Sequence, residues 1–302
     1  MTTEQVYHLP VMAHQCIDGL NINPDGVYVD VTFGGGGHSK LILNKLSSKG
    51  KLIAFDRDSD AQQNLIDDPR LIIVHHNYRF MKNYLTYLNA EKVDGILADL
   101  GVSSFQLNEG ERGFSYRFDA ELDMRMDREQ KLSAASLLNE YSQTQINEVL
   151  KNYGEINQSY KISIAISNQA AFSPFKTIND LLNIIKPFAP KNDEYSFYSR
   201  LFQALRIEVN DEINSLKHFL NQCIDCLKPT GRLVVLSYHS LEDRLVKNLI
   251  IKGSIEGEIE KDLYGNSVKP FKAIGKDTPA SEEEIKSNSR ARSARLRVAE
   301  KI

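Results

Sequence analysis

The sequence predicts an α/β fold, a mainly parallel sheet wound with helices and interrupted by a long helical insert. Three observations predict it. A short apolar strand runs into consecutive glycines, Gly34 to Gly37, and then into polar residues that can open a helix. From Val27 to Asp99 short apolar runs alternate with amphipathic segments, the order expected of parallel strands joined by crossover helices. After Asp99 no comparable strand occurs before Arg232, an interval far beyond an ordinary connection.

The first strand covers Val27 to Val31. The glycines that follow carry no Cβ, so the backbone can turn sharply and approach a ligand, with the amides of the next helix pointing back at it. Ile42 and Leu46 share one face of that helix. The second strand, Lys51 to Phe55, ends at Asp56, about twenty residues past the glycines, where an acid can accept hydrogen bonds from the two hydroxyls of an adenosine ribose. Strand, glycine turn, helix, strand and terminal acid together favour an adenosine cofactor over a plain flexible loop. The run does not fit G-x-G-x-x-G, because His38, Ser39 and Lys40 follow Gly37, so a dinucleotide fits poorly. Leu71 to His75 and Val93 to Ala98 supply the third and fourth strands.

The insert reads as helices with recognisable starts. Ser142-Gln143-Thr144-Gln145 is a capping box before Ile146, Val149, Leu150 and Tyr153, and Gly154 suits the end of that helix. Thr177-Ile178-Asn179-Asp180 similarly precedes Leu181, Leu182, Ile184 and Ile185. The organisation expected is therefore residues 1–108 as the first part of the sheet domain, 109–212 as the helical insert and 213–302 as the second part. Pro229 is read as stopping a helix and Gly231 as permitting the reversal into the strand Arg232 to Ser237. Val268 to Ile274 and Ser293 to Ala299 can supply paired final strands.

A chain of 302 residues with 41% hydrophobic and 25% charged content can bury a sizeable core. No apolar run approaches the roughly 18 residues that cross a bilayer, and the start MTTEQVYHLP lacks the basic and apolar segments of a signal peptide, so no membrane association and a cytoplasmic location are expected. Cys16, Cys223 and Cys226 are too few for a disulfide framework, and the last two lie in a helical pattern with Ile213, Leu216, Leu220, Ile224 and Leu227, which marks them as core residues. No metal is expected, because no His, Cys, Asp or Glu cluster has ligand spacing; Asp123, Asp127, Glu242 and Asp243 are read as solvated or paired with arginines such as Arg125 and Arg244. The net charge of −3 does not advertise a nucleic-acid binder, yet Lys286, Arg290, Arg292, Arg295, Arg297 and Lys301 cluster near the end. The alternation from Ser293 to Ala299 reads as an edge strand with outward arginines that can meet RNA phosphates.

Eight segments, in order along nearly the whole chain, carry a resemblance to a known family. They are Thr32 to Ser39, Asp56-Arg57-Asp58, Asp94 to Ser104, Glu111 to Ser115, Leu122 to Asp127, Phe202 to Ile207, Tyr238 to Arg244 and Arg290 to Ser293. Together they resemble the bacterial small-subunit (16S) ribosomal RNA (cytosine-N4)-methyltransferases. The segment from Leu227 to Arg232 is similar to the junction before the fifth strand of many S-adenosylmethionine-dependent methyltransferases. The resemblance implies a Rossmann-like S-adenosylmethionine-dependent methyltransferase sheet with an inserted helical substrate-recognition domain. It also implies S-adenosyl-L-methionine as cofactor, and 16S ribosomal RNA or the small ribosomal subunit as partner; the sequence leaves open whether the protein is a monomer or a homodimer.

Carried onto matching positions, the family pattern implies that Gly36, Gly37 and His38 line the methionine end of the cofactor, that Asp56 holds the ribose, and that Tyr78, Asp99 and Gln106 complete the pocket. Tyr78 can stack on adenine, with Phe80 as the alternative, and Gln106 can bridge polar groups. Asp99 is the candidate catalytic residue, drawing on the amino hydrogens of cytosine; holding the charged methionine end is its alternative role. Transfer to ring carbon C5 needs a cysteine nucleophile, and none is expected at a strand end, which favours the amine. Phe114 and Tyr116 are candidates for stacking on the cytosine. The sequence departs from the family at Gln15, usually Glu, and at Phe105, usually Pro. A nicotinamide-dependent oxidoreductase and a non-catalytic RNA-binding module are the competing readings.

Overall fold

The computed structural model describes residues 10–103, 106, 110–259 and 268–302. Phe105 and the boundary expected at 108 and 109 lie outside the described residues. The chain forms two compact units, Met1–Gly101 with Ile213–Ile302, and Val102–Glu212. The strands are β1 (Val27–Asp30), β2 (Lys51–Phe55), β3 (Leu71–Val74), β4 (Val93–Asp99), β5 (Leu227–Ser237), β6 (Phe271–Ala273), β7 (Thr278–Pro279) and β8 (Arg295–Lys301). The helices are α1 (Ala13–Leu20), α2 (Gly37–Leu43), α3 (Met81–Tyr87), α4 (Ala134–Glu140), α5 (Gln143–Gly154), α6 (Ser159–Phe172), α7 (Ile178–Ile185), α8 (Glu194–Val209), α9 (Glu212–Cys226), α10 (Ser240–Lys252) and α11 (Glu282–Ser287).

In the first unit the sheet runs β3-β2-β1-β4-β5-β8-β6, with β7 also paired to β8. The pairs from β3 to β5 are parallel. β8 is antiparallel to β5, β6 and β7. Alternate side chains feed two cores. Val29, Val31, Ile53, Phe55, Ile96 and Ala98 join Leu85, Phe219, Cys223 and Val246 on one face. Tyr28, Leu52, Leu97, Val234 and Leu236 join Cys16, Leu20 and Ile42 on the other. A parallel sheet buried on both faces needs apolar residues at consecutive strand positions, which is what β1, β2 and β4 supply.

Three readings change. β8 is an interior strand, flanked by β5 on one side and by β6 and β7 on the other, and not an edge. Its arginines are engaged within the sheet domain: Arg297 makes a two-pronged contact with Asp243 at 2.7 and 3.0 Å, and Arg295 reaches Asp277 at 2.7 Å. Asp243 thus pairs with Arg297, while Asp123 pairs with Arg125. The helix before β5 ends at Cys226, ahead of Pro229, and within β5 the left-handed residue is Thr230, φ 66°, and not Gly231. Gly231 is needed for close approach, since a Cβ there would stand 2.9 Å from the carbonyl of Lys228.

The second unit has its own core, built from Leu137, Ile146, Leu150, Ile162, Leu181, Leu201 and Leu205 among others. Ser133, Ser142 and Thr177 cap α4, α5 and α7 through reciprocal bonds with Ser136, Gln145 and Asp180. The sequence motifs around Arg112 and Met124 are interlocked by side chain to backbone bonds. Arg112 donates to the carbonyls of Arg125 and Met126, and buried Asn210 accepts from Met126 N at 2.8 Å while donating to Met124 O at 2.7 Å. Phe114 is buried in this core, and Tyr116, half-buried, packs against Tyr198 and Phe202.

Candidate cofactor and active site

The glycine turn follows directly from β1. Gly34 (φ 50°) and Gly36 (φ 73°) adopt left-handed backbone, and Gly36 N closes the turn on Phe33 O at 2.7 Å before α2 opens at Gly37. A Cβ at Gly36 would stand 3.1 Å from the Phe33 ring, so both conformation and space demand glycine there. A Cβ at Gly35 would meet nothing within 4 Å, so the turn borders open space.

Beneath the turn, Asp30 at the end of β1 is almost fully buried and organises its surroundings. It accepts from Thr32 N at 3.1 Å, Thr32 Oγ1 at 3.3 Å and Ser39 Oγ at 2.7 Å. Thr32 Oγ1 in turn accepts from Asp99 N at 2.7 Å, which ties the carboxyl ends of β1 and β4 together. At the end of β2, Asp56 accepts from Gly34 N at 2.7 Å and Asp58 N at 2.8 Å. Burial pushes the pKa of Asp56 up and these two amides oppose the shift. Each oxygen keeps a further lone pair for a hydroxyl donor.

Asp99 ends β4 with 24% of its side chain exposed. Its Oδ1 accepts from the Tyr238 hydroxyl at 2.6 Å, and its Oδ2 lies 3.7 Å from His38 Nδ1. His38 Nε2 lies 3.1 Å from the carbonyl of Val11, so that nitrogen carries a proton. Burial raises the pKa of Asp99, opposed by the charge of His38 and the Tyr238 hydrogen bond. Burial and the neighbouring Asp99 push the Tyr238 phenol up.

Tyr78 opens the short turn Tyr78–Phe80 after β3, its ring edge-on to Phe219 at 5.4 Å. Phe80 is 41% exposed and touches His76. Gln106 belongs to the second unit, where it exchanges bonds with Ser103: its Oε1 accepts from Ser103 N at 3.0 Å and its N donates to Ser103 Oγ at 3.2 Å. Gly36, Gly37, His38, Asp56 and Asp99 therefore gather at the carboxyl ends of β1, β2 and β4. Asp30, Thr32, Ser39 and Tyr238 join them without having been singled out as site residues. Thr32, Ser39 and Tyr238 stand in the matched segments, and Asp30 stands last in its strand, which is the available signal for each.

A mainly parallel sheet with a glycine turn after its first strand and acids at the ends of its second and fourth is the arrangement of an α/β protein whose strand ends suit an adenosine cofactor. Within that class the chain belongs to the MraW methylase family, whose model matches residues 5–302. It is 51% identical over 302 residues, all of both chains, to a Flavobacterium johnsoniae protein named ribosomal RNA small subunit methyltransferase H. Proteins of the same name are 50% identical in Christiangramia forsetii, over 98% of both chains, and 48% identical in Cytophaga hutchinsonii, over 98% of this chain and 100% of that one.

Proposed function

We propose that this protein is an S-adenosylmethionine-dependent methyltransferase that modifies the N4 amine of a cytosine in 16S ribosomal RNA of the small subunit. The observation that supports it best is the placement of Asp99, held by Tyr238 beside His38 at the end of β4, next to the glycine turn. The donor set fits the cofactor. Asp56 suits the ribose hydroxyls, His38 suits the charged methionine end beside Gly36 and Gly37, with Asp99 as its holder only in the alternative to the catalytic role, and Tyr78 follows β3 next to the strand that leads into Asp56, with Phe80 as the exposed alternative for the adenine. Gln106 is assigned to the same pocket on the family pattern. The bound cofactor supplies an electrophilic methyl on sulfonium sulfur.

The amine of cytosine is a poor nucleophile because its lone pair is delocalised into the ring. Asp99 is suited to accept one amino hydrogen, which localises the pair and gives the proton released on transfer a place to go. Carbon transfer needs a thiolate beside the base. Cys16 is sealed in the core with its thiol pushed well up by burial and by Asp99, and Cys223 and Cys226 are buried elsewhere in the sheet domain, so the described cysteines favour the amine. No helix among the described residues is long and apolar enough to cross a membrane, and we read the protein as cytoplasmic, with self-association tested by sedimentation.

Calorimetry with S-adenosylhomocysteine and with NAD is expected to show binding of the first only. Transfer to small-subunit RNA followed by nucleoside mass spectrometry is then expected to place the methyl on N4. NAD binding without S-adenosylhomocysteine binding returns the oxidoreductase reading, cofactor binding with no transfer returns the non-catalytic RNA-binding module, and a C5 product removes the amine mechanism.

A further inference from the structure

The two oxygens of Asp99 are not equivalent. Oδ1 is engaged at 2.6 Å by the hydroxyl of Tyr238, the residue that follows directly on β5, while Oδ2 faces His38. Tyr238 is itself held on three sides. Its backbone N donates to Glu242 Oε2 at 2.8 Å in the first turn of α10, its ring packs against the core that holds Cys16, Leu97 and Leu236, and its hydroxyl ends on Asp99. Asp99 is fixed from the other direction, since its own N donates to Thr32. The carboxylate is thus anchored through both backbone and Oδ1, and its remaining oxygen keeps one direction.

We propose that Tyr238 is a positioning residue for methyl transfer, fixing the Asp99 carboxylate through Oδ1 so that Oδ2 is the oxygen presented to the reacting amine. This rests on the reading of Asp99 given under Proposed function. A hydroxyl on a rigid, packed ring is well suited to the task, because the donor needs no reorganisation as charge moves at the acceptor.

The groups that face Asp99 come from several elements: His38 from α2, Asp30 from β1, Glu242 from α10, Cys16 from α1, and Tyr238 itself, which also faces Arg290. Burial and the two acids favour the protonated carboxyl, whereas His38 and the phenol favour the ionised one. Removing the phenol donor leaves His38 alone against burial and the acids. The carboxyl then protonates at higher pH.

The test is Tyr238→Phe, which keeps the ring against its core. At saturating cofactor the single-turnover transfer rate at neutral pH is expected to fall about tenfold, the scale of a hydrogen bond to a charged group. The acid limb of the rate profile is expected to move to higher pH, with affinity for S-adenosylhomocysteine changing less than the rate. In an Asp99→Asn background the same substitution is expected to add little, because both act through one carboxyl. A variant whose rate and acid limb match wild type, or losses that simply add in the double variant, overturn the proposal. Infrared titration of the Asp99 carboxyl in wild type and Tyr238→Phe reads the pairing without any turnover, and an unchanged titration overturns it too. Wild-type protein that transfers no methyl to RNA overturns instead the function on which the proposal rests, and the titration still decides whether Tyr238 controls Asp99.

Discussion

Burial, Asp30 and Glu242 work against the ionised form of Asp99, while His38 and the Tyr238 phenol favour it, and the balance leaves its pKa raised. The native state therefore binds this proton more tightly than the unfolded chain does, so stability falls as pH rises from the ordinary aspartate value through the folded one. Asp99→Asn has no charge to bury. Its melting temperature is expected to exceed that of wild type at neutral pH, with the gap closing as pH drops below the ordinary aspartate range. Calorimetric melts at several pH values check this, and a variant that melts lower at neutral pH would show that the lost carboxylate contacts outweigh the relieved burial. Transfer by the same variant at saturating cofactor is expected to fall at least about a hundredfold, the range of general acid and base assistance. Normal transfer once saturated would make Asp99 a binding residue only. Asp56 and Asp99 were legible because each closes an apolar run. Tyr238 was not, because its partner lies 139 positions away and the bond depends on the β4 to β5 register.

At the level of elements, the strands β1 to β4 were legible as apolar runs, and the caps of α5 and α7 as Ser142 with Gln145 and Thr177 with Asp180. What failed was the number of partners a strand has. The alternation from Arg295 to Val298 is compatible with an edge; the expected pairing of Val268 to Ile274 with Ser293 to Ala299 is found as β6 against β8, and the second partner, β5 on the other side, makes β8 an interior strand. Phe114 and Tyr116 both take part in packing the second unit, Phe114 as a buried core ring and Tyr116 half-buried against Tyr198 and Phe202 of α8. The motifs of the second unit are instead held by Asn210, which satisfies Met124 O, Met126 N and Arg206 O from a site almost closed to solvent. Asn210→Ala removes the side-chain bonds to Met124 O and Met126 N, while Arg206 O keeps the backbone N of position 210, and is expected to cost about 3 kcal/mol. Urea unfolding followed by a probe in the second unit reads the loss, and a shift below about 1 kcal/mol would mean that water replaces the amide.

For the molecule as a whole, a net charge of −3 means that the protein's average field repels RNA, so binding has to come from where the cations stand. The described C-terminal arginines divide by partner strength. Arg297 is 12% exposed and gripped at two points by Asp243, a two-pronged, half-buried pairing that a phosphate displaces only by leaving the aspartate without its partner. Arg295 is 53% exposed on Asp277, and such a surface pair contributes little against water, so a phosphate can take its place. Arg292 is exposed in the turn Ser289–Ser293 that leads into β8. Arg292→Ala and Arg295→Ala are therefore each expected to weaken RNA binding, and to reduce the slope of log affinity against log salt by about one, without changing the affinity for S-adenosylhomocysteine. Arg297→Ala is expected to lower the melting temperature instead, because it strands Asp243. Filter binding across a salt series separates the cases: unchanged slopes for both exposed arginines would remove this stretch from the RNA surface, and a parallel loss of S-adenosylhomocysteine binding would make their role one of holding the sheet domain together.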